Sequence, residues 1–203
     1  MKNNLLKVSF TSLCFLMANG IFSSAATAAD TPFYLGAGLG ISNASKSCSQ
    51  LGGDGFSGSC DKKDSGIKIV GGYKFSEYLS AEIAYVNLGE FKASGTATSG
   101  AIDAKAKVSG FQFGVLGQWS FADSFSVLGK LGGFRWDQKI SGTASPTLST
   151  GGTKGTDIFW GMGLQYDFSR NFGIRAEWER YLDIGKSNKS DVDLFSINGL
   201  WQF

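Results

Sequence analysis

Three carboxylates and three cations occupy alternate positions in otherwise small and polar segments of this sequence. Carboxylates held close together can work as a general acid and a general base, so such a set could support hydrolysis. The acids and bases balance, however, and buried charges persist in proteins when they are paired. We therefore interpret the set as a structural ion-pair network, with gating or conduction second and catalysis third. Its members are Glu82, Arg175, Lys130, Glu177, Lys68 and Glu179.

The composition argues against several other functions. The 203 residues contain no histidine, which removes Ser–His and Cys–His catalysis and histidine metal sites. Lys and Arg total 19 against 17 Asp and Glu, so no strongly basic surface points to nucleic acid. The stretch GAGLG at 36–40 is reminiscent of a dinucleotide loop, but its glycines lie inside a predicted strand rather than before a helix. We expect no enzyme activity, no cofactor and no nucleic-acid partner.

Strict alternation of bulky with small or polar residues dominates the chain, as in FYLGAGLGIS at 33–42. A period of two predicts strands, and here it predicts eight, joined by alternately tight and long connections. An even antiparallel set of this kind is typical of an all-β up-and-down barrel. The predicted strands lie near 31–42, 66–76, 79–89, 107–121, 124–138, 156–168, 171–182 and 191–203. The predicted long loops are 43–65, 90–106, 139–155 and 183–190.

The charges indicate which face of these strands points inward. The bulky face carries no charged residue in the predicted strands, whereas the opposite face carries the ionic set. A soluble barrel needs a charged exterior, but a membrane barrel turns its apolar face to lipid. The sequence therefore predicts an eight-stranded antiparallel transmembrane β-barrel with charges in its lumen. Strand heights predict three stacked pairs across it: Glu82 with Arg175, Lys130 with Glu177, and Lys68 with Glu179.

The first 29 residues have the features of a cleavable signal peptide. Lys2 and Lys7 precede a short apolar stretch, and AATAAD offers small residues for cleavage after Ala28 or Ala29. A membrane anchor is the alternative, although the stretch is short for one. We expect the barrel domain to occupy 30–203.

Two of the three cysteines fall in the first predicted long loop. Cys14 lies within the expected signal peptide, which leaves Cys48 and Cys60 as a pair in an exported chain. Such a pair favours a disulfide, because exported proteins fold in an oxidising compartment. Two free or metal-binding thiolates are the alternative, for which the sequence offers no histidine partners.

Several segments resemble a known family. The end of the chain, LFSINGLWQF, resembles the assembly signal of bacterial outer-membrane barrels, with Trp201 and Phe203 at its aromatic positions. Three further segments resemble the OmpA-type transmembrane barrel in their order and spacing: GYKFSEYLSAEIAYVNLGEF, GKLGGFRWD and GLQYDFSRNFGIRAEWERYLDIG. Gln165 stands where that family often has an acidic lumen residue. We do not transfer the peptidoglycan-binding function of longer members, and the chain is more similar to the short surface-antigen barrels.

The resemblance implies a place and a set of partners. The place is the outer membrane of a Gram-negative bacterium. The implied partners are outer-membrane lipid and lipopolysaccharide, the barrel-assembly machinery, and a host or environmental ligand at the loops. The main functional hypothesis is a structural and surface-interaction barrel. A small porin-like diffusion channel is the alternative, and an outer-membrane lipid-modifying enzyme is a third hypothesis that the missing histidine disfavours.

Overall fold

A computed structural model describes residues 32–44, 57–97, 100–144, 147–185 and 189–203, so the expected signal peptide and Cys48 lie outside the described residues. Within these ranges no helix is long and apolar enough to cross a membrane. The described chain is built from strands. They are β1 (Phe33–Ala44), β2 (Ser57–Asp61), β3 (Lys63–Lys74), β4 (Leu79–Ala97), β5 (Gly100–Ala122), β6 (Phe125–Ala144), β7 (Thr147–Asp167), β8 (Phe172–Ile184) and β9 (Ser190–Gln202).

Eight of these strands close into a barrel. Each pairs antiparallel with its neighbours in the ring β1, β3, β4, β5, β6, β7, β8 and β9, and β9 returns to pair with β1. The closing ladder runs from Tyr34 opposite Gln202 to Ala44 opposite Val192. The short β2 pairs with the far end of β4 and so continues the position of β3 beyond Lys62. The predicted eight-stranded up-and-down barrel is confirmed.

The two rims of the barrel differ as the alternating connections predict. Residues 75–78, 123–124 and 168–171 make tight turns at one end, which we call the short-turn rim. The N–H of Phe203 donates to the carbonyl of Phe33 at this rim, at 3.2 Å. The other end, the long-hairpin rim, carries the outer parts of the β4–β5 and β6–β7 hairpins. Every backbone group in such a closed ring can be paired, as a membrane interior requires.

Two predicted loops are wrong. In place of loops at 90–106 and 139–155, β4 and β5 stay paired out to Ala97 opposite Gly100, and β6 and β7 to Ala144 opposite Thr147. The predicted loop at 43–65 likewise contains β2. These extensions consist of small and charged residues with no apolar face, so they lack the alternation that marks a strand. Once the barrel has fixed the register of two strands, backbone hydrogen bonds can extend their pairing beyond the membrane without alternation of apolar and polar residues.

The bulky face points away from the lumen around the barrel. Leu39 and Trp119, for example, are 70% and 68% exposed. Soluble monomeric proteins rarely expose a continuous apolar surface of this size. These outward residues form what we call the apolar band, which indicates contact with lipid. Its members include Leu35, Leu39, Ile67, Ile69, Ile83, Phe111, Phe113, Val115, Leu131, Met162, Leu164, Ile174, Phe195 and Ile197.

A bulge at the long-hairpin rim depends on one carboxylate. The register between β4 and β5 shifts between Asn87 and Glu90. Gly89 has a φ of +85°, a backbone conformation that residues other than glycine rarely adopt. A Cβ at Gly89 would lie 2.6 Å from Oδ2 of Asp64. Asp64 accepts the N–H of Glu90 at 2.5 Å and that of Ser65 at 2.8 Å. Asp64 lies beyond the apolar band, and the hydrogen bond from Glu90 lowers the pKa of its carboxyl.

Acid should loosen this bulge. Because folding lowers the pKa of Asp64, its stabilising effect is complete above the unfolded value of about 3.9 and is lost as the pH falls through the folded pKa. We expect the amide of Glu90 to lose hydrogen-exchange protection in that acidic range. Asp64→Asn should show weaker protection at neutral pH and no such pH dependence. Equal protection in both proteins at every pH would contradict this role.

Candidate functional site

The lumen of the barrel holds a layer of buried polar side chains to which every strand of the ring contributes. The strand alternation that sends bulky residues outward sends these residues inward, and each is 6% exposed or less. We call this set the polar layer. It consists of Tyr34, Lys68, Glu82, Gln112, Lys130, Gln165, Arg175, Glu177, Glu179 and Asn198.

Glu177 is at the centre of the polar layer. Its Oε2 lies 2.7 Å from Nζ of Lys68, and its Oε1 contacts Nζ of Lys130. Nη1 of Arg175 lies 3.6 Å from the same Oε1. Nδ2 of Asn198 donates to Oε2 at 3.0 Å. One carboxylate therefore meets all three cations of the layer.

Glu82 binds two of the same cations from the other side. Nη1 of Arg175 donates to its Oε1 at 2.5 Å, and Nζ of Lys130 donates to its Oε2 at 2.7 Å. The hydroxyl of Tyr34 donates to Oε1 at 2.6 Å. These contacts join β1, β4, β6 and β8 across the lumen.

Glu179 completes the set on the side of the long-hairpin rim. Nζ of Lys68 donates to its Oε1 at 2.7 Å, and Nε2 of Gln112 donates to the same oxygen at 2.9 Å. Tyr181 lies within hydrogen-bond distance of its Oε2, at 3.1 Å. Lys130 approaches to 3.5 Å.

The structure brings all six charged residues expected in the lumen together, but not as three separate pairs. Each expected pair is in contact, and further contacts join the pairs into one network. The reason is geometric. Arg175, Glu177 and Glu179 point inward at alternate positions of β8, about 7 Å apart along the strand, so the long side chains of Lys68 and Lys130 each reach more than one carboxylate.

An apolar layer lies above the polar one, toward the long-hairpin rim. The rings of Phe134 and Phe159 pack on Tyr181 with centroids 4.6 and 5.7 Å away. Tyr181 links the two layers, because its hydroxyl reaches Glu179 and Gln112. The remaining members of what we call the apolar layer are Val86, Leu88, Val108, Trp136 and Leu194.

The chemistry available to this arrangement is limited. Each carboxylate of the polar layer is buried and contacts at least two cations, so none has an oxygen directed at open space where a substrate could exchange a proton with it. Within the described ranges, no group of three or more His, Cys, Asp or Glu could hold a metal ion. The geometry is that of a buried ion-pair network that fills the lumen of the barrel.

Comparison with known proteins agrees with this fold and topology. The model of the OmpA-like transmembrane domain matches residues 28–201. The chain belongs to this family. It is 26% identical over 201 residues to outer membrane protein A of Yersinia pseudotuberculosis, covering 95% of this chain and 55% of that protein. The chain thus spans about half the length of the curated relatives it matches. This OmpA-like chain is an outer-membrane barrel of the Gram-negative type.

Solved barrels share the fold at low identity. Ail of Yersinia pestis has a TM-score of 0.56 and 18% identity, covering 86% of this chain and 100% of Ail. OprG from Pseudomonas aeruginosa has a TM-score of 0.56 and 12% identity, with coverage of 86% and 97%. Ail has also been solved in complex with the heparin analogue sucrose octasulfate, at a TM-score of 0.51, 16% identity and coverage of 85% and 100%.

Four neutral members of the polar layer were not singled out as site residues from the sequence of this OmpA-like chain: Tyr34, Gln112, Gln165 and Asn198. The feature of the sequence that could have identified them is a polar residue at an inward-facing position of a predicted strand. Gln165, at the position that is often acidic in the family, accepts from Nε of Arg175 at 2.9 Å and donates to Asp167 at 2.8 Å. It therefore relays between a cation and a carboxylate, as an acidic residue there could not.

The other proposed site residues lie apart from the lumen. Cys60 is in β2, and its expected partner Cys48 is outside the described residues, so the disulfide stays a prediction. Trp201 faces outward opposite Leu35 and Phe172. Phe203, the last residue, is exposed beside the short-turn rim. The role of Trp201 and Phe203 as an assembly signal also stays a prediction.

Proposed function

We propose that this OmpA-like barrel is a non-conducting scaffold of the outer membrane that presents its long hairpins as an interaction surface. The observation that carries the proposal is the filled lumen. Lys68, Glu179 and Phe134 are 1%, 0% and 0% exposed, so bulk water does not reach these side chains. Two successive filled layers, one ionic and one aromatic, argue against the porin-like alternative.

The hairpins support the second half of the proposal. The outer parts of β4–β5 and β6–β7 extend past the apolar band as paired strands, which holds them in a defined position relative to the membrane. Ail, which shares this fold, has been solved with a polyanionic sugar analogue, so barrels of this shape include a ligand-binding member. We place the long-hairpin rim on the cell exterior and the short-turn rim in the periplasm.

The remaining parts of the proposal concern export and assembly. Residues 1–29 act as a signal peptide cut after Ala28 or Ala29, and 30–203 form the barrel domain. The barrel-assembly machinery recognises Trp201 and Phe203. The apolar band contacts outer-membrane lipid. Enzyme activity is not part of the proposal, because the carboxylates that could supply it are engaged with cations.

Conductance separates the scaffold from the channel. The purified wild-type barrel in planar phosphatidylcholine bilayers should show only small, brief conductance events, because the two filled layers block continuous water. Replacing Phe134 and Tyr181 together by Ser should raise conductance, since it removes two rings of the apolar layer. Replacing the outward Phe111 and Phe113 by Leu is the matched control and should not. A steady, large conductance of the wild type would replace the scaffold with the porin hypothesis.

A further inference from the structure

The outer part of β7 has one edge that no neighbouring strand covers. On its other side β7 pairs with β6 as far as Thr147 opposite Ala144. Its ladder with β8 begins only at Phe159, and β8 itself ends at Ile184. Among the residues that the structure describes, none pairs with 148–157 on the side away from β6. We call this side the free edge, since such an edge presents a row of unpaired N–H and C=O groups.

The backbone groups of the free edge belong to even-numbered residues. At the short-turn rim, the N–H of Asp167 donates on the β6 side to the carbonyl of Ser124, at 2.9 Å. The N–H of Phe168 donates on the β8 side to the carbonyl of Phe172, at 3.0 Å. Successive residues of a strand direct their backbone groups to opposite sides, and the β6–β7 register is continuous from there to Thr147. The groups at the free edge are therefore those of Thr150, Gly152, Lys154 and Thr156.

The free edge lacks the features by which proteins usually protect an edge strand. Those features are prolines, bulges, unengaged charges and a covering segment. Residues 148–157 contain no proline, and their register with β6 does not shift. Their two charged side chains both engage β6: Lys154 pairs with Asp137 at 3.0 Å, and Asp157 accepts the Nε1–H of Trp136 at 2.7 Å. The free edge is therefore close to neutral, which suits an uncharged partner.

The opposite edge of the same sheet is protected. In the part of the chain that the structure describes, β2, β4, β5, β6 and β7 continue beyond the barrel as a sheet with β2 and β7 at its edges. β2 has only five residues, and the charged run from Asp61 to Asp64 ends it. Short strands and charges both discourage further pairing. The contrast favours β7 as the place where another strand can add.

Two glycines leave room on the outer part of β7 for the side chains of an added strand. Among the described residues, a Cβ at Gly151 would have no heavy atom within 4 Å, and one at Gly152 would meet only the carbonyl oxygen of Gln138, at 3.9 Å. Gly155, nearer the barrel, is instead covered by the ring of Trp136. Large cross-strand side chains can cover glycines of an edge strand in this way. The free edge therefore fits a strand that carries β-branched or aromatic residues.

We infer that the free edge of β7 binds an extended segment of another protein, which adds as a strand antiparallel to β7 and continues the position of β8 beyond the barrel. The segment is uncharged and carries β-branched or aromatic side chains. Backbone hydrogen bonds to the even-numbered residues of 150–156 provide affinity, and the open spaces at Gly151 and Gly152 provide selectivity. The inference rests on the proposed role of the long hairpins as an interaction surface and names the kind of partner, whether or not the lumen conducts.

Amide hydrogen exchange of the whole barrel in detergent micelles, followed by NMR, tests the inference. The probe is a capped peptide of about seven residues that alternates Thr and Val around a central Tyr. Without the probe, the amides of Gly152 and Thr156 should exchange at least tenfold faster than those of Gly151 and Thr153, which face β6. The probe should slow the first pair and leave the second unchanged. The same peptide N-methylated at two adjacent central residues cannot donate along either of its edges, and it should bind at least tenfold more weakly.

A proline variant tests the free edge itself. Thr150→Pro with Thr156→Pro removes two N–H donors of the free edge and none that face β6, and edge strands tolerate proline at such positions. It should weaken binding of the probe about thirtyfold, which is about 2 kcal/mol at tenfold for each 1.4 kcal/mol. Slow exchange at Gly151 and Thr153 checks that the hairpin still folds. The matched control, Thr150→Val with Thr156→Val, keeps both donors and should bind as the wild type does.

Three results would overturn the inference. One is slow exchange at the even-numbered amides of the wild type without the probe, because the edge would then already be covered. Another is equal binding of the plain and N-methylated peptides, or of the proline and valine variants. The third is self-association of the wild type that the proline variant abolishes, with no binding of the probe, which would assign the free edge to a second copy of this chain. A wild type that binds the probe but conducts steadily would overturn the scaffold proposal and leave this inference standing.

Discussion

Replacing Glu177 by glutamine should destabilise the barrel by about 3–5 kcal/mol, the usual range for removing one partner of a buried ion pair. Glu177 meets Lys68, Lys130 and Arg175, and glutamine would leave these three cations with two carboxylates. The shape changes little, so lost packing contributes little. Denaturant unfolding of the barrel in lipid vesicles, followed by tryptophan fluorescence, measures the difference.

Two comparisons make this prediction specific to the network. Glu90→Gln removes a partly exposed carboxylate whose ion contacts are 3.6 and 3.9 Å long, and it should change stability by about 1 kcal/mol or less. Adding Lys68→Met to Glu177→Gln restores the charge balance, so the double variant should be more stable than the sum of the single effects predicts.

The same reasoning applies to a second pair. Arg175→Ala should lower the unfolding temperature, and adding Glu82→Ala should recover part of the loss, because the two groups are 2.5 Å apart. Strictly additive effects in both cycles, with small single losses, would mean that water solvates these charges. The lumen would then be an open channel, in conflict with the filled layers.

The sequence determines the barrel more fully than it determines the lumen contacts. Alternation of bulky with small residues identified all eight strands of the ring and which face meets lipid. It did not identify the outer hairpins: 92–97 and 100–105 contain Lys, Ser, Gly, Ala, Thr, Ile and Asp without a continuous apolar face. Their strand structure comes from the register that the membrane portion imposes, which is a long-range effect.

The lumen shows the same limit. The position of each charged residue on the inward face of its strand, together with its charge, predicted which six residues would meet. A narrow lumen brings inward charged side chains within reach of one another. The contact pattern depends on side-chain length and on the relative heights of the strands, which the sequence gives only to within a residue or two. Tyr34 and Asn198 each bind a buried carboxylate, but a neutral polar residue among glycines carries little signal on its own.

Placing arginine at Val115 should destabilise the barrel by about 2–4 kcal/mol in a bilayer, the range for a cation on the lipid face near mid-membrane. Val115 is 52% exposed and lies midway in the outward series from Phe111 to Trp119 on β5. Its cross-strand neighbours are Ala81 and Leu131, so no carboxylate is available to the guanidinium. Leu164→Arg on β7 should behave alike.

The matched control is on the same strand and the same face. Ser109→Arg points outward beyond the apolar band, opposite Asp137, and should change stability by about 1 kcal/mol or less because it reaches water and headgroups. Val115→Met adds bulk without charge and should be nearly neutral in lipid. Unfolding in phosphatidylcholine vesicles compares all three. If arginine is tolerated equally at 109 and 115, the bulky face is not in hydrocarbon, and the depth-dependent cost that defines a membrane-facing surface is missing.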